Sequence, residues 1–160
     1  DITVDARAAR DFGGANVVKH LEDHALAVDD PSSTFFTFDC NVPANTIPYA
    51  DNQHRIRMFA RKHGLKVYDV DAGIGSHVVM EEGWARPGTT TVGTDSHLNI
   101  MGAVGAFGQG MGDVQVSRVA SSIGGGGSAD RPKRSRRSGS GVSGGRPSVS
   151  APSRASRKRA

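Results

Sequence analysis

A single cysteine, Cys40, stands in 160 residues. One thiol excludes an internal disulfide framework, and it excludes any multi-cysteine metal site built by this chain alone. No run approaches the ~18 consecutive apolar residues of a membrane span. The acidic, polar start DITVDARAARD also lacks the pattern of a signal peptide. These absences point to a protein without membrane contact and to a cytoplasmic setting, where a lone unbridged cysteine is ordinary.

Aromatic residues are missing altogether from residues 118–160, which hold 11 Lys+Arg against 1 Asp+Glu, a net of +10. Residues 1–117 hold 9 against 15, a net of −6. The basic piece, rich in Ser, Gly and Arg, cannot bury enough apolar surface to offset its ordering entropy and is predicted to be disordered. Its charge suits non-specific attachment to nucleic acid or another polyanion, and without aromatics to stack on bases such binding would be electrostatic contact with the backbone. The acidic piece is large enough for one modest core.

Within that piece, Gly14–Leu26 carries Val17, Val18, Leu21, Ala25 and Leu26 at helical spacing. Thr34–Phe38 (TFFTF) reads as a buried strand ending at Asp39-Cys40. Tyr49–His63 is predicted as a helix stopped by Gly64, Leu65–Val70 as a strand, and Asp71–His77 as a loop. After the Arg86-Pro87-Gly88 turn signal, Thr89–Val92 reads as a third strand and Asn99–Met111 as a helix. Alternating helices and strands predict an α/β domain with a mostly parallel sheet between helical layers. Ligands in such sheets sit beyond the carboxyl ends of the strands, which is where Asp39, His77 and Asp95-Ser96-His97 fall.

The stretch VGTDSHLNIMGAVGAFGQGMGD (92–113) admits two readings on residues alone. Gly102, Gly105 and Gly108 lie inside an apolar run instead of ahead of it, and no Lys-Ser/Thr pair follows, so close helix packing fits better than a phosphate-cradling loop. Asp95 or Ser96 can cap a helix. Equally, the carboxylate, hydroxyl and imidazole of Asp95, Ser96 and His97 can form a catalytic corner with groups from other strands, since three adjacent residues cannot make a triad among themselves.

Taken together, FTFDCNVPAN, HRIRMFARKHGLKVYDVDAGIGSHVVMEEG and ARPGTTTVGTDSHLNIMGAVGAFGQGMGD resemble, in this order, the N-terminal part of the aconitase superfamily, and most of all the large subunits of the 3-isopropylmalate dehydratase type. The likeness covers about residues 1–116, followed by 117–160 as an unrelated basic tail of the composition a shifted reading frame gives in GC-rich coding sequence. The resemblance implies a three-layer α/β/α fold and reversible dehydration and rehydration of a hydroxy di- or tricarboxylic acid at a 4Fe–4S cluster, as in leucine biosynthesis. In that chemistry a cluster iron acts as Lewis acid on the leaving hydroxyl while a base removes a proton α to a carboxylate. It further implies Asp39 as the acidic member of an Asp-His pair whose histidine is Cys40 here. His77 would be an active-site histidine with Asp95 as its carboxylate partner, and Ser96 and His97 would line the substrate and cluster pocket.

By the same resemblance, three cysteines bind the cluster and the base comes from a swivelling domain or small subunit. This chain carries neither the three cysteines nor a recognisable set of substrate-binding arginines, so it is expected to hold no cluster and to turn over nothing alone. Two functions follow from these residues: the N-terminal part of a hydro-lyase, or a relic domain whose basic tail binds polyanions.

Overall fold

Residues 3–121 are described by the computed structural model, so the tail from Ser122 onward, with the disorder, reading-frame shift and nucleic-acid binding expected of it, lies outside the described residues. Five parallel strands form one sheet in the order β3-β2-β1-β4-β5. They are β1 (Ala6–Arg10), β2 (Thr34–Thr37), β3 (Lys66–Tyr68), β4 (Thr90–Gly93) and β5 (Phe107–Gly110). The helices are α1 (Asp11–Asp23), α2 (Ile47–His63), α3 (Gly75–Glu81) and α4 (Asp113–Ala120), with short 3-10 helices at Pro31–Ser33 and Leu98–Val104.

Side chains alternate across a strand, so neighbouring phenylalanines serve opposite faces. Phe36, with Ala9, packs under α1, α2 and α4 through Val18, Leu21, Ile56 and Val116. Phe35, with Ala8, packs against Val79 of α3 and against Leu98 and Met101 of the second 3-10 helix. Two cores on two faces make this a three-layer α/β/α arrangement, as the sequence predicts. On the second face Trp84 stacks on Phe35 with ring centroids 4.5 Å apart and donates from Nε1 to the Tyr68 hydroxyl at 2.6 Å.

Helix α2 ends as expected: Gly64 adopts a left-handed φ of 68°, a conformation that costs glycine little. Two elements differ from the sequence reading. Residues 71–77 are not all loop, since Gly75 opens α3 and His77 sits in its first turn. Residues 99–111 are not one helix. The 3-10 helix stops at Gly105, whose φ is 72°, and Phe107–Gly110 then adds an edge strand alongside β4. Each glycine in a helix costs about 1 kcal/mol against alanine, and this segment holds four of them between 102 and 110. The apolar spacing of a helix is present, but the backbone does better by completing the sheet. Helix α4 runs across the 116/117 boundary expected for the domain, with Ser117 and Ala120 buried.

No helix among the described residues is long and apolar enough to cross a membrane.

Candidate functional site

The adjacent strands β1 and β4 send their chains to opposite faces of the sheet. β1 runs directly into α1 on the first face, whereas β4 leads into the 3-10 helix on the second. That divergence marks a switch point at the carboxyl ends of the two strands, the place where doubly wound sheets bind ligands. Arg10 closes β1 there. Its backbone N–H donates to Thr94 Oγ1 at 2.9 Å, tying the end of β1 to the turn after β4.

The Arg10 guanidinium lies between carboxylates from either side. Nε donates to Asp39 Oδ1 at 2.9 Å, and Nη1 donates to Asp95 Oδ1 at 3.2 Å. Both acidic side chains are nearly buried, at 4% and 6% exposure, while that of Arg10 keeps 24%. Burial alone would push the guanidinium down, but the hydrogen bond and charge of Asp39, with Cys40 and Asp95 behind it, hold it above the ordinary arginine value.

Asp39 accepts a second donor, the Gly75 N–H at the start of α3, at 2.6 Å on Oδ2. A side chain at Gly75 would collide with Thr37 and crowd Asp39, so glycine is what lets this amide reach the carboxylate. Asp95 makes a turn with its own neighbours: Oδ1 accepts the His97 N–H at 2.9 Å and faces His97 Nδ1 at 3.3 Å. The His97 ring is 82% exposed. An imidazole whose Nδ1 is held by a carboxylate presents Nε2 for proton exchange, which is the arrangement of an orienting carboxylate and an acid–base histidine.

The site therefore joins Asp39, Asp95 and His97 through Arg10. Ser96 is exposed in the same turn. His77 is exposed in the first turn of α3, two residues beyond the amide that holds Asp39. No hydrogen bond joins His77 to Asp95 in the structure, where Asp95 Oδ1 is engaged by Arg10 and His97.

Beneath this rim lies a second acidic group that the sequence reading did not single out. Asp11, the first residue of α1, accepts the N–H groups of Cys40 at 3.0 Å and Asp39 at 3.3 Å, and Gln53 Nε2 at 3.0 Å. Burial pushes its carboxyl up, yet the bonds from Cys40 and Gln53 outweigh this and leave it below the usual carboxylate range. Burial, with the bond and charge of Asp11, pushes the Cys40 thiol up to about 12. Arg10 and Asp11 could have been found from sequence only by recognising Ala6–Arg10 as a strand, since the rule that flagged Asp39 and Asp95 applies equally to its carboxyl end.

Asp11, Asp39 and Cys40 each bring one potential ligand atom within 4.8 Å of the others. A cation there would have to displace the Arg10 contact to Asp39 and compete with the backbone donors that already hold Asp11. That is a poor metal centre.

Residues 1–123 match the aconitase family (aconitate hydratase). The chain is similar to the 3-isopropylmalate dehydratase large subunit of Methanoregula boonei, 37% identical over 114 residues that make up 71% of this chain and 27% of the relative. It is similar to the homoaconitase large subunit of Thermus thermophilus, 36% identical over 121 residues, 76% of this chain and 29% of the relative. It is also 45% identical, over 91 residues covering 56% of this chain and 21% of the relative, to a probable methanogen homoaconitase large subunit of Methanothermobacter thermautotrophicus. The chain thus spans between a fifth and a third of the length of these curated relatives. With three quarters of its residues inside the family match, the chain belongs to the aconitase family.

Proposed function

We propose that this chain supplies the N-terminal, substrate-facing layer of a hydro-lyase that isomerises a hydroxy di- or tricarboxylic acid by dehydration and rehydration. The reaction of the 3-isopropylmalate dehydratase type, within leucine biosynthesis, is the favoured form, working in the cytoplasm with a small swivelling subunit. The observation that carries this reading is the Asp95–His97 pair at the switch point, 3.3 Å apart, beside Asp39.

In this reading Asp95 fixes the His97 ring so that Nε2 moves a proton to or from substrate. Asp39 helps protonate the departing hydroxyl. His77 is a further acid–base group whose ring is free to turn toward bound substrate, and the Ser96 hydroxyl binds a substrate oxygen.

The parent family works with an iron–sulfur cluster. The residues of this chain do not fit one: such clusters are held by several thiolates, whereas the chain has one cysteine. The cluster ligands would come from the remainder of a longer large subunit, and this chain alone would be inactive.

Replacing the matching quarter of a 3-isopropylmalate dehydratase large subunit by residues 1–121, with the small subunit present, tests the proposal. The chimaera should dehydrate 3-isopropylmalate, and Asp95→Asn should lower kcat by roughly 10²- to 10⁴-fold. The chain alone, after anaerobic iron and sulfide reconstitution, should show neither cluster absorption nor turnover. A chimaera indifferent to Asp95→Asn, or a chain that builds a cluster by itself, would overturn the reading.

A further inference from the structure

We infer that Arg10 is a positioning residue: its guanidinium clamps Asp39 and Asp95 across the switch point and so sets where both carboxylates meet substrate. The catalytic meaning of this clamp rests on the hydro-lyase reading, but the clamp itself is a property of this chain.

Arg10 is fixed before its side chain begins. It pairs with Thr37 of β2 on one side, and its N–H reaches Thr94 beyond β4 on the other. From that anchored backbone a planar fork reaches two carboxylates that belong to different loops. Arginine suits this because its donors point in fixed and separate directions, whereas a lysine ammonium is one point charge on a flexible stem. Around the guanidinium stand Asp39, Asp95 and the Cys40 thiol, with Asp11 on the adjoining turn. One cation thus serves two nearly buried acids, and removing it would leave both without their counter-charge. The cost of an unpaired buried charge is several-fold that of a surface pair.

Each carboxylate carries an independent backbone reporter. The Gly75 amide bonds Asp39 from the start of α3, and the His97 amide bonds Asp95 from the turn after β4. Neither touches Arg10. A side chain that only filled space would have no reason to move both at once. A clamp must.

The test is amide NMR on the full chain. In Arg10→Gln, which keeps much of the volume and removes the charge, the Gly75 and His97 amides should both shift upfield and exchange with solvent roughly tenfold faster. Arg10→Lys should restore one of the two at most. Arg55→Gln, which breaks an exposed pair with Glu22, should leave both unchanged. If Arg10→Gln does not fold, the unaltered chain still decides the matter. Its Arg10 Nε–H signal should be protected from exchange, and Asp39→Asn should abolish that protection. Unmoved reporter amides in Arg10→Gln, or an Arg10 Nε–H that exchanges as fast as that of a solvent-exposed arginine, would overturn the clamp. These readouts need no turnover, so an inactive chimaera with normal reporter shifts counts against the hydro-lyase reading and leaves the clamp standing.

Discussion

The Asp11 carboxylate, only 1% exposed, accepts the backbone N–H of Cys40 at 3.0 Å. The first residue of α1 thereby fixes the loop that carries Asp39, and Gln53 of α2 closes the other side of the same carboxylate. Asp11→Ala would leave two backbone donors and an amide without their acceptor, and should cost about 1–3 kcal/mol in urea unfolding.

The same carboxylate should make stability depend on acid. Its folded pKa lies below the ordinary value because the bonds from Cys40 and Gln53 outweigh burial. A depressed folded value contributes stability that is fully present above the unfolded value of ~3.9 and is lost as pH falls through the lower folded value. Asp69 acts in the same direction through its hydrogen bonds from Arg57. Urea midpoints measured from pH 6 down to pH 2 should therefore fall most steeply below about 4, and Asp11→Asn should flatten part of that decline. Equal slopes in the two proteins would show that Asp11 does not carry the effect.

Cys40 is partly open to solvent yet should be a slow nucleophile. Its thiol is pushed up to about 12 by partial burial and by Asp11. Since the thiolate is the reactive species, alkylation by iodoacetamide at pH 8 should run at least ~10²-fold slower than that of a free thiol of ordinary pKa. Asp11→Asn should speed it. A rate matching the free thiol would contradict the placement of Cys40 against Asp11.

Much of the fold was legible because particular strands announce themselves. Thr34–Thr37 and, before its closing glycine, Thr90–Gly93 are built from threonine, valine and phenylalanine, residues that favour a pleated, buried surface. Ala6–Arg10 (ARAAR) consists of two residue types that favour helices, and it is a strand only because β2 and β4 pair with it on both sides. No local signal marks that override. Missing β1 meant missing Arg10 and Asp11, and with them the connection between Asp39 and Asp95. The acidic residues themselves were visible as strand-end positions. The bond of His97 to Asp95 depends on a two-residue turn, which spacing cannot disclose.

Trp84 offers a direct probe of the second core. It is the one tryptophan in the chain, and it stacks on the fully buried Phe35 while bonding Tyr68. Phe35→Ala should cost about 3–5 kcal/mol and shift the Trp84 emission to the red as water reaches the indole. Tyr68→Phe keeps the ring but removes the acceptor, and should cost about 1 kcal/mol with a smaller spectral change. An unshifted emission in Phe35→Ala would mean that the stack does not shield Trp84.

The glycines behind Asp95 can be told apart by adding a methyl group to each. At Gly102 a Cβ would meet open space, so Gly102→Ala should be neutral or stabilise by up to about 1 kcal/mol through the restricted unfolded chain. At Gly108, in β5, the same atom would collide with the Leu98 carbonyl and crowd Met101, both part of the 3-10 helix that continues the Asp95–His97 turn. Backbone cannot step aside as a flexible side chain can, so Gly108→Ala should cost roughly 1–3 kcal/mol. The strain should also reach the site, because Leu98 N–H donates to the Asp95 carbonyl at 3.3 Å. The expected result is a lower urea midpoint for Gly108→Ala together with a shifted His97 amide, against an unchanged His97 amide in Gly102→Ala. If both variants behaved alike, residues 99–111 would be packing as the uniform helix that their apolar spacing suggests, and β5 would have to be discarded.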